Sequence, residues 1–159
     1  ADAEDREYFV ETVLHEYFHY LSLNDTQVIY TSEQTLDTYN EPGMVTLADS
    51  YLNDFYQEFW TGYLDDCLAC DDTYNFFLRH CDDFITPYAS TDPSEDICES
   101  FAFFVLRPRD FRADEDVWSR KLDFFYQYPQ LVAFREEVRG NLGLAWGEYF
   151  ESRQEADAA

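Results

Sequence analysis

His15-Glu16-Tyr17-Phe18-His19 combines two histidines four residues apart with a glutamate directly after the first. On a helix, positions i and i+4 lie one turn apart on the same face. Both imidazoles can therefore reach one Zn2+, which takes histidine nitrogen at about 2.0–2.1 Å. Glu16 projects about 100° further round the helix, where a carboxylate can accept a proton from water without being a ligand. This is the H-E-x-x-H arrangement of zinc sites with a glutamate base. The plainer alternative is a helix with two ordinary histidines, and a third ligand is needed to separate the two.

Hydrophobic periodicity at about 100° per residue predicts that Val10, Val13, Leu14, Tyr17 and Leu21 face a core, away from the histidines. Residues 24–43 are polar and turn-rich, with Gln27-Val28-Ile29-Tyr30 the only short strand expected and Glu41-Pro42-Gly43 closing the segment. Leu47, Tyr51, Leu52, Phe55, Phe59 and Tyr63 recur at helical spacing and predict one long helix over 45–63. A shorter helix is expected over 73–80. Asp92 suits an N-cap and Pro93 the first helical position, so a helix should run from there to about Leu106, stopped by Arg107-Pro108. Further helices are expected over 114–128 and 129–139, the latter with Gly140 as C-cap, and then an amphipathic piece over 144–153.

The 159 residues suffice for a single domain with one core. Five glycines, five prolines and few alternating runs favour a mainly α fold with little or no β-sheet. The formal net charge of −24, with Lys121 the only lysine, implies a solvated acidic surface that repels nucleic acid and anionic lipid. No apolar run approaches the roughly 18 residues of a membrane span. Cys67, Cys70, Cys81 and Cys98 are even in number and clustered, which suits two disulfides of open connectivity and an extracellular or cell-surface setting. His80, the third histidine, is expected at the surface.

Two carboxylates on the Asp92 helix compete for the third ligand position. Glu95 lies three residues after Asp92, where a capping-box glutamate also belongs, so capping and ligation stand about even for it. Glu99, four residues further on, shares its face and reads equally as a surface acid or the partner of a buried arginine.

Here the sequence resembles a family. Thermolysin-type gluzincin metallopeptidases take their third ligand from the first acid of an N-E-x-x-x-D helix, and the second acid holds a zinc-bound histidine. Ser94-Glu95-Asp96-Ile97-Cys98-Glu99 keeps that spacing, with Glu in place of Asp. Zinc-binding metallopeptidases related to the catalytic domain of anthrax lethal factor are closer still. They carry Y-x-x-x-x-x-x-E-x-x-A-E-x-F, which Tyr88 to Phe101 matches, with Cys98 replacing the alanine. The resemblance implies His15, His19 and Glu95 as zinc ligands, Glu16 as general base, Tyr88 as oxyanion stabiliser and Glu99 as the carboxylate behind a histidine. It covers roughly residues 5–139 and implies a zincin-like helical core. Such folds place a β-sheet before the motif helix, yet only fourteen residues precede His15, so the chain is expected to be the C-terminal catalytic part of a longer protein.

The function these readings predict is zinc-dependent hydrolysis of peptide bonds in a peptide or protein substrate. The alternatives are a silent zinc-binding relative acting as a protein-interaction domain, and a metal-free acidic helical module. The metzincin variant fails, because Tyr20-Leu21-Ser22-Leu23-Asn24-Asp25 supplies no G-x-x-H after His19.

Overall fold

A computed structural model describes residues 3–35, 37–70, 72–108 and 116–143. In chain order the elements are α1 (Ala3–Ser22), β1 (Val28–Tyr30), β2 (Asn40–Glu41), β3 (Met44–Thr46), α2 (Tyr51–Phe59), α3 (Leu64–Leu68), α4 (Thr73–Arg79), α5 (Pro93–Leu106), α6 (Val117–Phe124), a 3-10 turn (Phe125–Gln127) and α7 (Pro129–Leu142). The chain is mainly helical, as its composition predicts, with one small antiparallel sheet in the order β1-β3-β2 among the described residues.

Helix α5 is the element against which α1, α2, α6 and α7 all pack. Asp92 starts it as expected: its Oδ1 accepts from the backbone N–H groups of Ser94 and Glu95 at 2.8 and 3.0 Å. At the other end Arg135 of α7, itself buried, donates from Nε to the carbonyl of Phe104 and from Nη2 to that of Arg107. Arg139 reaches the carbonyls of Val105 and Leu106. The last turn of a helix has carbonyls with no partner inside the helix, and two guanidinium groups supply them here.

The middle of α5 is fixed by charge. Asp96 is fully buried, and its Oδ2 lies 2.7 Å from Lys121 Nζ and accepts from Trp60 Nε1 at 2.7 Å. Ser100 donates to the other oxygen, and Lys121 also donates to the carbonyl of Asp83 while its ammonium sits over the Phe84 ring. Burial pushes the Asp96 carboxyl up and the Lys121 ammonium down, and each partner opposes the shift of the other. The chain's one lysine is therefore an internal strut rather than a surface charge. Around it the core is largely aromatic: Phe18 stacks on Phe101 at 4.3 Å between ring centroids, with Phe125 edge-on to both. Such pairs add to the area they bury.

Several boundaries differ from the sequence reading. Val13 and Tyr17 of α1 are exposed, while Leu14 and Phe18 are buried along with His15. The buried stripe of α1 thus runs on the histidine side, because that is where α5 approaches. Val45 belongs to β3, not to a helix: Met44-Val45-Thr46 is buried throughout and pairs with both neighbouring strands. The Pro42-Gly43 turn joins β2 to β3, and Gly43 takes φ +94°, the left-handed region that a Pro-Gly turn needs at its second central residue. Helix α2 begins only after Ser50, whose side chain accepts from the N–H of Asn53, and it ends at Phe59. Gly140 lies inside α7, and Gly143, at φ +77°, ends that helix. The helix expected over 144–153 lies outside the described residues.

The expectation of two disulfides is also corrected, since Cys67, Cys70, Cys81 and Cys98 are all free thiols. Closeness in sequence does not bring them together. Cys98 is on the buried side of α5, Cys67 donates to the carbonyls of Ser90 and Thr91, Cys70 accepts from Arg79, and Cys81 is exposed.

Candidate metal centre

The packing of α1 on α5 brings the two halves of the sequence signature together. His15 Nε2 lies 3.1 Å from His19 Nε2, and Glu95 Oε2 lies 3.0 Å from the first and 3.4 Å from the second. Three donor atoms held at about 2.0–2.1 Å on a tetrahedral ion are about 3.3–3.4 Å apart, so this triangle fits one ion of zinc's size. Glu95 Oε2 is buried between the two histidine nitrogens, which are its charge partners. A buried carboxylate needs a positive partner, which a protonated imidazole or a cation at the centre of the triangle supplies. His15, His19 and Cys98 also place one ligand atom each within 4.8 Å of one another, a group that could hold a metal ion.

Glu95 faces the histidines rather than the start of its helix. Asp92 caps the helix alone, which frees the Glu95 side chain to turn toward α1. Glu99 is neither a surface acid nor an arginine partner. Its Oε1 lies 2.8 Å from His15 Nδ1, and its Oε2 accepts from Thr86 Oγ1 at 2.8 Å. A carboxylate can only accept, so His15 carries hydrogen on Nδ1 and, when neutral, presents its Nε2 lone pair to the triangle. Thr86 Oγ1 in turn accepts from the backbone N–H of Ala89. The hydroxyl, the carboxylate and the imidazole form one chain of hydrogen bonds that ends at the donor atom. Thr86 was not legible as a site residue, and its place thirteen residues before Glu99 has no motif to mark it.

The electrostatics favour a cation. Burial alone would pull the His15 imidazole down, but hydrogen bonds and charge from Glu95 and Glu99 outweigh it and raise it to about 9. Hydrogen bonds from His15 and then His19 hold the Glu95 carboxyl far below its usual range, against burial. Tyr88 stands at the rim, half exposed, with its ring centroid 5.9 Å from that of His15. Burial first, and then the charge and hydrogen bond of Glu95, push its phenol up to about 12, so it remains a proton donor at neutral pH. Glu16 is exposed on the same helix as the two histidines. His80 is remote from the centre, held between Asp66 and Asp83 with its ring edge-on to Tyr63.

Because Glu99 fixes the ring of one donor without being a donor itself, Glu99→Gln should weaken metal affinity by about 10–100-fold while leaving the ion count at saturation unchanged. Competition against a chromophoric chelator measures this directly, and an unchanged affinity would remove Glu99 from the site.

The geometry thus gathers two histidines and one carboxylate, with a second acid behind one histidine. In comparisons with known protein families, curated proteins and solved structures, the chain matches none of them.

Proposed function

We propose that this chain is a zinc-dependent metallopeptidase of the gluzincin type, with a zincin-like core built from α1 and α5. One observation carries the reading: donor atoms of His15, His19 and Glu95 converge at 3.0–3.4 Å from helices eighty residues apart in sequence, with Glu99 behind His15. Zinc held by two imidazoles and a carboxylate would supply a Lewis acid that lowers the pKa of water to about 7 and polarises a carbonyl. The residues around it then have distinct tasks. Glu16 accepts the proton of the attacking water and returns it to the leaving amine. The Tyr88 hydroxyl donates to the oxygen that gains negative charge as the carbonyl is attacked. Glu99 and Thr86 keep His15 in the tautomer that offers Nε2. The edge strand β2 borders this region, since Glu41 lies within electrostatic reach of both His19 and Glu95. A peptide lying across the site would meet an acidic rim there.

The test begins with metal content. The purified chain should hold one Zn2+ at saturation, Glu95→Gln should lose most of it, and Glu58→Gln, a change at an exposed acid of α2, should not. Equal content in wild type and Glu95→Gln would sink the ligand assignment. The zinc-loaded chain is then offered a mixed peptide library, with cleavage read by mass spectrometry. Stoichiometric zinc without cleavage leaves the silent zinc-binding module as the surviving reading.

A further inference from the structure

Cys98 is the one polarisable donor beside the histidine pair, and the hydrolytic scheme has no use for it. It sits on α5, three residues after Glu95 and one before Glu99, with no exposed surface. Its sulphur lies within 4.8 Å of a ring nitrogen on each of His15 and His19. Its thiol is pushed well up, by burial first and then by the charges of Glu95, Glu99, Asp92 and Glu16.

We propose that His15, His19 and Cys98 form a second donor set, overlapping the first at the two histidines, which takes a thiophilic divalent ion such as Cd2+ or Co2+ through the Cys98 thiolate. Nitrogen and sulphur donors on one tetrahedral zinc-sized ion, with bonds of about 2.0–2.1 and 2.3 Å, stand about 3.5 Å apart. The sulphur therefore needs to approach by roughly 1 Å, well inside the roughly 3 Å that one step between staggered χ1 rotamers sweeps. The step balances simply: a sulphur–metal bond forms, the S–H bond breaks, and the proton leaves to solvent. Soft thiolate and hard carboxylate select different ions, so the chain carries an oxygen-containing and a sulphur-containing set on one histidine pair. This inference rests on the histidine pair being a metal site and is independent of peptide hydrolysis.

The experiment titrates the metal-free, reduced chain with one equivalent of Cd2+, and separately of Co2+, measuring bound metal and the ultraviolet thiolate-to-metal charge-transfer absorption together. Wild type should bind one ion and show the band. Cys98→Ala, which removes volume and adds none, should still bind an ion but lose the band. His15→Ala should abolish it. That last variant separates the centre from Cys67, Cys70 and Cys81, whose absorption would be indifferent to His15. One bound ion without a band, or a band that survives Cys98→Ala, overturns the proposal and leaves the carboxylate centre standing. If no ion binds at all, both readings fall together.

Discussion

Glu16→Gln is expected to keep its zinc and to lose peptide hydrolysis by about 10²–10⁴-fold, the usual contribution of a positioned general base. At 1.36 kcal/mol per decade this is about 3–5 kcal/mol of barrier. The substitution keeps the size and shape of the side chain and removes only its ability to accept a proton. Glu16 is exposed and is not a member of the donor triangle, so neither the packing of α1 nor the metal content should change. The loss should therefore fall on kcat, with the bound-zinc count as an internal control. Tyr88→Phe should cost less, because the metal still faces the oxygen that gains charge. If the zinc-loaded wild type cleaves peptide and Glu16→Gln cleaves at the same rate, the base is another residue.

The second large effect is expected at Lys121, remote from any metal chemistry. Lys121→Met leaves the Asp96 carboxylate in the core with only Trp60 and Ser100 to bond it. Removing one half of a buried pair costs about 3–5 kcal/mol, a large share of the roughly 5–15 kcal/mol that holds a domain together. For a chain of this length that corresponds to a fall in Tm of roughly 10–15 °C. The double variant Asp96→Leu/Lys121→Met replaces both charges by apolar groups and should recover most of the loss, because both partners were already shifted toward their neutral forms. Acidification provides a sign test. In Lys121→Met the folded-state pKa of Asp96 is raised further above its unfolded value. Stability is then fully present below the unfolded value of about 3.9 and is lost as pH rises through the folded one. The gap between single and double variants should therefore narrow as pH falls toward 4. A Lys121→Met protein as stable as wild type at neutral pH would show that the pair is dispensable.

These two residues also mark what a sequence discloses and what it hides. The meeting of His15, His19, Glu95 and Glu99 was legible because these residues are written as short spacings on helices, and helical geometry turns a spacing of four into a shared face. The start of α5 was legible for the same reason, since Asp92 and Pro93 act on their own neighbours. Lys121 and Asp96 act across twenty-five positions, and the only hint was that a chain of −24 keeps a single lysine. Strands β2 and β3 were missed because Met44-Val45-Thr46 is buried on both faces and has no alternation to read. The cysteines misled because nearness along the chain was taken for nearness in space. On α1 the apolar residues formed two stripes, and only the position of α5 decides which of them is covered.

The arginine clamp at the end of α5 has a consequence in time. All residues assigned to the metal centre have been synthesised once Glu99 is added, yet the carbonyls at the end of their helix wait for Arg135 and Arg139, and its buried carboxylate waits for Lys121. At about 5–20 residues per second, the stretch from Glu99 to the end of α7 at Leu142 takes roughly 2–9 s to emerge. During that interval a nascent chain has both histidines and both acids but no scaffold to hold them 3 Å apart. An ion that arrives early meets separate, weak ligands, and metal loading should therefore follow the emergence of α7 rather than that of Glu99.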